Sequence, residues 1–321
     1  MKRRTLQIFA FIVIALFTYK TVNHPFPSDI SGHIVNDFEQ VSKKQDPLML
    51  EVMEKASAFE VSPQDAKIDK VWKAQPGLNG LKVDVEASYK KMKKTGMFDE
   101  AKLVFEQVPP KVHLADLPPS PIYRGHPEKQ MVAFLINVAW GNDHIPGMLE
   151  TLKKHDVKAT FFLEGRWVKE NPSMAKMIID AGHEVGNHSY THPNMKTLGS
   201  SAVRDQLMKT NEVIEAISGN KVEWFAPPSG SYRDEVVSIA HELNLKTIMW
   251  SVDTIDWQKP APDVLVNRVM KKIHPGAMIL MHPTPSTEQS LETMIVSIKE
   301  KGLELGSVTA LLDEERIIHH N

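Results

Sequence analysis

Three features of this sequence predict an α/β fold built on parallel strands. Beyond Lys129, short apolar runs alternate with segments of helical period. Polar and titratable side chains fall just after those runs, at what would be one end of the strands. Before Lys129, a charged-then-apolar N-terminus and a proline-rich stretch set the first part of the chain apart. A run of strands each followed by a helix implies parallel pairing through right-handed crossovers. A barrel and a doubly wound sheet both satisfy that alternation.

The elements follow in order. Lys2, Arg3 and Arg4 precede the apolar run 6–19, the order of an export signal. The run is shorter than the roughly 20 residues of a comfortable membrane span. No small-x-small cleavage site follows it, so residues 1–22 read as a signal anchor in preference to a removed signal peptide. Either outcome places the remainder outside the cytoplasmic membrane, anchored to it or secreted. Residues 23–58 are polar with weak periodicity and read as a stalk. A small α/β unit follows, with strands at 67–73, 80–85 and 103–108 and a helix at 86–94. Pro109, Pro110, Pro118, Pro119 and Pro121 then form a stiff linker, so the whole of 23–128 is stalk, small unit and linker.

The main domain is expected over 129–315. Its apolar runs lie at 131–137, 158–163, 184–187, 222–225, 247–252, 277–282 and 305–308. Helical patterns separate them, among them 166–181, 202–217, 264–273 and 290–301. The net charge of -2 supplies no basic field, and no nucleic-acid partner is expected. The absence of cysteine excludes disulfides, thiolate metal sites and a cysteine nucleophile. Any metal is left to histidine and carboxylate. Nothing in the sequence fixes an oligomeric state.

Function in parallel α/β folds gathers where strands end. Asn137 follows the first run and Glu164 the second. His188 and His192 follow the third, Pro228, Ser229 and Gly230 the fourth, Asp253, Asp256 and Trp257 the fifth, and His282 the sixth. Two histidines four residues apart can present ring nitrogens to one first-row metal, although a chain with 14 histidines also yields such a pair by chance.

The motif order, and above all Gly186-Asn187-His188-Ser189-Tyr190-Thr191-His192, resembles the polysaccharide deacetylase family, the NodB-homology enzymes of carbohydrate esterase family 4. The resemblance covers about 130–312. It implies a deformed (β/α)7-type barrel that removes acetyl groups from N-acetylated sugars of chitin or peptidoglycan. The N-terminal extension and Asp253-Thr254-Ile255-Asp256-Trp257 look most like the family's sporulation-associated branch. Position by position, the resemblance makes His188 and His192 ligands of a divalent metal, usually zinc. His282 becomes the general acid and Asp253 the carboxylate that holds its ring. Trp257 and Leu280 would shape the acetyl pocket, and a backbone N–H in Pro228-Ser229-Gly230 would stabilise the oxyanion.

Two departures bear on activity. The family's paired aspartates, a base and a metal ligand, fall at Asn137 and Val138, and the arginine that partners the base falls at Ala226. An amide cannot take a proton from water near neutral pH, and valine cannot ligate a metal. The two absences match, because an arginine without its carboxylate would be an unpaired buried cation. Asp143 and Glu164 could substitute, although helix capping by Asp143 and pairing of Glu164 with Arg166 explain them as well. The expectation is therefore a deacetylase-like hydrolase of cell-wall polysaccharide with impaired or lost catalysis, its zinc weakly bound or absent. The alternative is a non-catalytic glycan-binding protein. Trp140, Trp167, Trp224 and Trp250 could stack on sugars, but core packing accounts for most such residues, and Trp257 is the better groove candidate.

Overall fold

The structure, a computed structural model, describes residues 46–318. The expected anchor at 1–22 and the stalk as far as residue 45 lie outside the described residues. Of the described residues, 48–318 belong to one compact unit.

The end of the expected stalk is a helix. In Pro47–Ala56, Leu48, Val52 and Ala56 recur at four-residue spacing and bury one face against Val83, Met92 and Leu103. The expected strand at 67–73 is a hairpin, β1 (Lys67–Asp69) and β2 (Lys73–Gln75), paired antiparallel. Asp69 Oδ1 accepts from the N–H groups of Val71 and Trp72 at 2.7 and 2.8 Å and turns the chain between them. Strands β3 (Gly80–Val83) and β4 (Phe105–Val108) pair antiparallel, and the helix Val85–Met92 lies between them in sequence, its N-cap Asp84 accepting from Ala87 N.

The main sheet has eight strands: β5 (Met131–Val138), β6 (Thr160–Leu163), β7 (Glu184–Asn187), β8 (Trp224–Phe225), β9 (Lys246–Thr247), β10 (Val252–Asp253), β11 (Met278–Met281) and β12 (Glu304–Gly306). Its order is β10-β11-β5-β6-β7-β8-β9, all parallel, with β12 on the first residues of β5. In β5, Val132, Phe134, Ile136 and Val138 join the large core under the helices, while Ala133 and Leu135 face the interior of the curl. That alternation carries Asn137 to the interior face.

The sheet is a curled parallel half-barrel rather than a closed one. The run expected as one strand over 247–252 is broken, and β9 and β10 do not pair. Ile122, fully buried at the end of the proline-rich stretch, occupies the gap. Its N–H bonds Thr247 O at 2.9 Å, and its carbonyl accepts from Met249 N at 2.8 Å. The expected helix at 166–181 is two, Gly165–Glu170 and Pro172–Asp180, because Pro172 has no N–H to continue the first. Among the described residues no helix is long and apolar enough to cross a membrane.

The stretch after the last helix, Val308–Leu312, runs back over the N-terminal part. Arg316 exchanges two hydrogen bonds with the Gln107 side chain, donates to Asn79 O at 2.6 Å and pairs with Glu128 at 3.0 Å. Asn79 N donates to Glu314 O at 2.7 Å.

Candidate functional site

A cavity of about 380 Å³ opens at the C-terminal ends of the strands, lined by Asn137, Ala139, Trp140, His188, His192, Ser229, Trp250, Asp253, Trp257, Leu280 and His282. Of the residues expected at the site, Asn137, His188, His192, Ser229, Asp253, Trp257, Leu280 and His282 meet there; Pro228 and Gly230 do not line it. Asp143 and Glu164 do not line it either. Glu164 is buried and bonded to Arg166 at 3.3 Å, and burial raises its pKa.

The histidine motif is built as a tight turn. Asn187, wholly buried at the end of β7, accepts from Ser189 N through Oδ1 and donates to Leu207 O and Asn211 Oδ1. Gln206 Oε1 accepts from Tyr190 N and Thr191 N at 2.8 and 2.9 Å. Ser189 and His192 adopt left-handed φ values of 61° and 55°. The scaffolding role of Gln206 was not legible, since it lies on the following helix. His188 Nδ1 lies 2.7 Å from Ala226 O, which assigns the proton to Nδ1 and leaves Nε2 bare. The contact is to the backbone carbonyl, which any residue at position 226 would supply. Burial, with a smaller contribution from His192, pushes the His188 pKa down to about 3. Burial also lowers that of His192, whose ring centroid is 5.0 Å away. Both rings are neutral near pH 7.

The carboxylate that holds His282 is Asp256, which corrects the expectation of Asp253. Asp256 Oδ1 is 2.9 Å from His282 Nδ1, and its Oδ2 accepts from His282 N and, at 2.7 Å, from Thr287 Oγ1. Asp256 is fully buried. Asp253 lines the cavity and spends Oδ1 on Ile255 N at 2.8 Å. The turn between them has Ile255 at φ 54°, a left-handed conformation unusual for a β-branched residue, and it swings Asp256 inward. Of the triplet after β8, Pro228 has no N–H and Gly230 N donates to Pro227 O at 2.9 Å. The Ser229 N–H is the one left for a ligand. Gly230 has φ 65°, and a Cβ there would lie 2.7 Å from the Trp250 ring.

A curled parallel sheet whose strand ends gather two imidazoles and a histidine–carboxylate pair is the architecture of the NodB-homology proteins. Residues 124–248 match the polysaccharide deacetylase family model. The chain is 54% identical over 318 residues to the uncharacterized protein YlxY of Bacillus subtilis, covering 99% of this chain and 100% of that one. With these matches, the chain belongs to the polysaccharide deacetylase family. It is 34% identical over 185 residues to the peptidoglycan-N-acetylglucosamine deacetylase of Bacillus cereus, covering 56% of this chain and 67% of that one. Among solved structures it is similar to BA3943 of Bacillus anthracis, described as a CE4 family pseudoenzyme, at 64% identity and TM-score 0.82, covering 85% of this chain and 97% of that one. A BA3943 mutant is described as having restored enzymatic activity.

The family is generally metal-dependent, but the residues of this chain do not fit a resident metal. Zinc sites take at least three protein ligands. Here there are two neutral imidazoles, Asp253 commits Oδ1 to Ile255 N, and Val138, where the resemblance puts the third ligand, is packed in the core. Among the described residues no group of three or more His, Cys, Asp or Glu side chains is arranged to hold a metal ion. Asn137 Oδ1 is buried in the cavity wall with no hydrogen-bond partner.

Proposed function

We propose that this chain binds N-acetylated cell-wall glycan, peptidoglycan or a chitin-like polymer, in the cavity of its 129–315 domain and has lost most or all of the family's amide hydrolysis. One observation carries this reading: the substrate-facing half of the site is built while the base is an amide. Leu280, Trp250 and Trp257 offer an apolar pocket for an acetyl methyl. Ser229, which lines the cavity, has an N–H free to donate to a carbonyl oxygen, and the orphaned Asn137 Oδ1 suits an amide N–H donor. His282, held by Asp256 and lining the cavity, is the group this reading makes the donor to a departing nitrogen. The usual means of activating water are missing: Asn137 has no basicity, His188 and His192 lack the third ligand of a metal site, and Asp253, the carboxylate in the lining, commits Oδ1 to Ile255 N.

Residues 1–22 serve as an anchor or export signal that places the chain outside the cytoplasmic membrane, and the 23–128 region supports the glycan-binding domain. A role in spore-wall assembly is the biological setting this reading favours.

The test uses the full chain. Binding of tetra-N-acetylchitotetraose and of peptidoglycan fragments is measured by calorimetry, and acetate release is measured in parallel with a His282→Ala variant. Binding is expected, with acetate release no greater than that of the variant. Acetate release well above that of His282→Ala would restore the hydrolase reading, and failure to bind any acetylated glycan would overturn the proposal.

A further inference from the structure

Four of the six tryptophans divide into two kinds that sequence alone does not separate. Trp167 and Trp224 are buried, with their indole N–H groups bonded to Asn142 and to Glu184 and Thr309. Trp140 is 49% exposed and Trp257 is 58% exposed, and both stand at the cavity. One face of the Trp140 indole lies on the His282 ring, with centroids 5.9 Å apart and planes within 7°. Its exposure therefore belongs to the opposite face and edge.

The backbone holds that indole rigidly. Gly141 has φ 86°, and a Cβ there would fall 2.1 Å from Pro283 O, so only glycine lets the loop after β5 meet the loop after β11. Beyond it, Asn142 bonds Trp167 and Asn171 at 2.7 Å, and His144 is paired with Glu288 at 2.7 Å. A loop pinned on both sides presents a large apolar face to solvent, which is the construction of a binding platform.

Sheet order supplies the direction. Strand β11 lies between β10 and β5. His282, after β11, is therefore flanked by Trp257, which follows β10, and Trp140, which follows β5. We propose that Trp140 is a glycan-stacking residue: its outer face holds the pyranose ring next to the sugar whose acetamido group enters the cavity, so that the chain runs across His282 from Trp140 towards Trp257. This rests on the glycan-binding reading above and adds a requirement for at least two linked N-acetylhexosamines. Aromatic faces bind the C–H faces of neutral sugars.

The full chain, Trp140→Ala and Trp140→Phe are titrated calorimetrically with N-acetylglucosamine and with tetra-N-acetylchitotetraose, after their melting curves have been shown to coincide. Trp140→Ala is expected to weaken tetramer binding about tenfold while leaving monosaccharide binding within about twofold, and Trp140→Phe to keep most of the tetramer affinity. Unchanged tetramer affinity in Trp140→Ala overturns the platform and leaves the glycan-binding reading standing. Equal losses for monosaccharide and tetramer also overturn it. A parent chain that binds neither sugar overturns both.

Discussion

Replacing Asp256 by alanine tests how the site is held. One fully buried carboxylate serves three donors: His282 N, His282 Nδ1 and Thr287 Oγ1. Thr287 keeps a second partner in Thr284 Oγ1 at 2.9 Å, but the two N–H groups of His282 keep none of comparable geometry. A buried donor left without an acceptor costs about 1–3 kcal/mol, and hydrogen bonds to a carboxylate lie at the upper end of that range, so stranding two donors at once adds up. Asp256→Ala is therefore expected to lose about 3–5 kcal/mol. Asp253→Ala removes one hydrogen bond at a cavity-lining side chain and is expected to lose about 1 kcal/mol. Equilibrium urea unfolding of both variants, with the slopes compared to confirm a common transition, measures the difference. If Asp253→Ala costs as much as Asp256→Ala, or if Asp256→Ala costs less than about 1 kcal/mol, the assignment of the His282 partner is refuted.

Two further outcomes are expected. Asn137→Asp combined with Val138→Asp and Ala226→Arg should produce zinc-dependent stabilisation of about 2.7 kcal/mol at a hundredfold excess over Kd, with acetate release above the parent; a melting temperature indifferent to zinc would show that these are not the positions of the family's aspartates and arginine. Burial pushes His126 and His183 down to about 4 and His188 to about 3, so below about pH 6.5 the unfolded chain binds protons that the folded chain refuses. Their contribution to stability should be constant above pH 6.5 and fall towards pH 4 by up to about 1.4 kcal/mol per pH unit for each ring; urea unfolding at pH 5 and 7 measures it, and a His183→Gln variant with an unchanged slope would contradict it.

The parallel sheet and the placement of the histidines were legible because both depend on local pattern: apolar runs of strand length, and a polar motif directly after one of them. What escaped depended on distant partners. The stretch Thr247-Ile248-Met249-Trp250-Ser251-Val252 carries no Gly or Pro to interrupt it, and its break comes from Ile122, more than a hundred positions earlier in the chain. Asp253 and Asp256 both follow the fifth run, and spacing does not say which meets His282. The left-handed turn at Ile255 decides it. Trp140 and Trp167 look alike beside apolar strands, and only the close passage of Gly141 under Pro283 reveals which is displayed. The helix Pro47–Ala56 was present as a four-residue apolar period, obscured by the polar stretch before it.

The return of residues 314–316 over Asn79, Gln107 and Glu128 also sets a timetable for folding. Segments that emerge early in synthesis acquire some of their hydrogen-bond partners only when residues 314–316 have followed. Such contacts, with sequence separations of 209 and 237, close long loops and form slowly. The N-terminal part is thus a seam sewn shut at the end, and a chain shortened before Glu314 would leave it open.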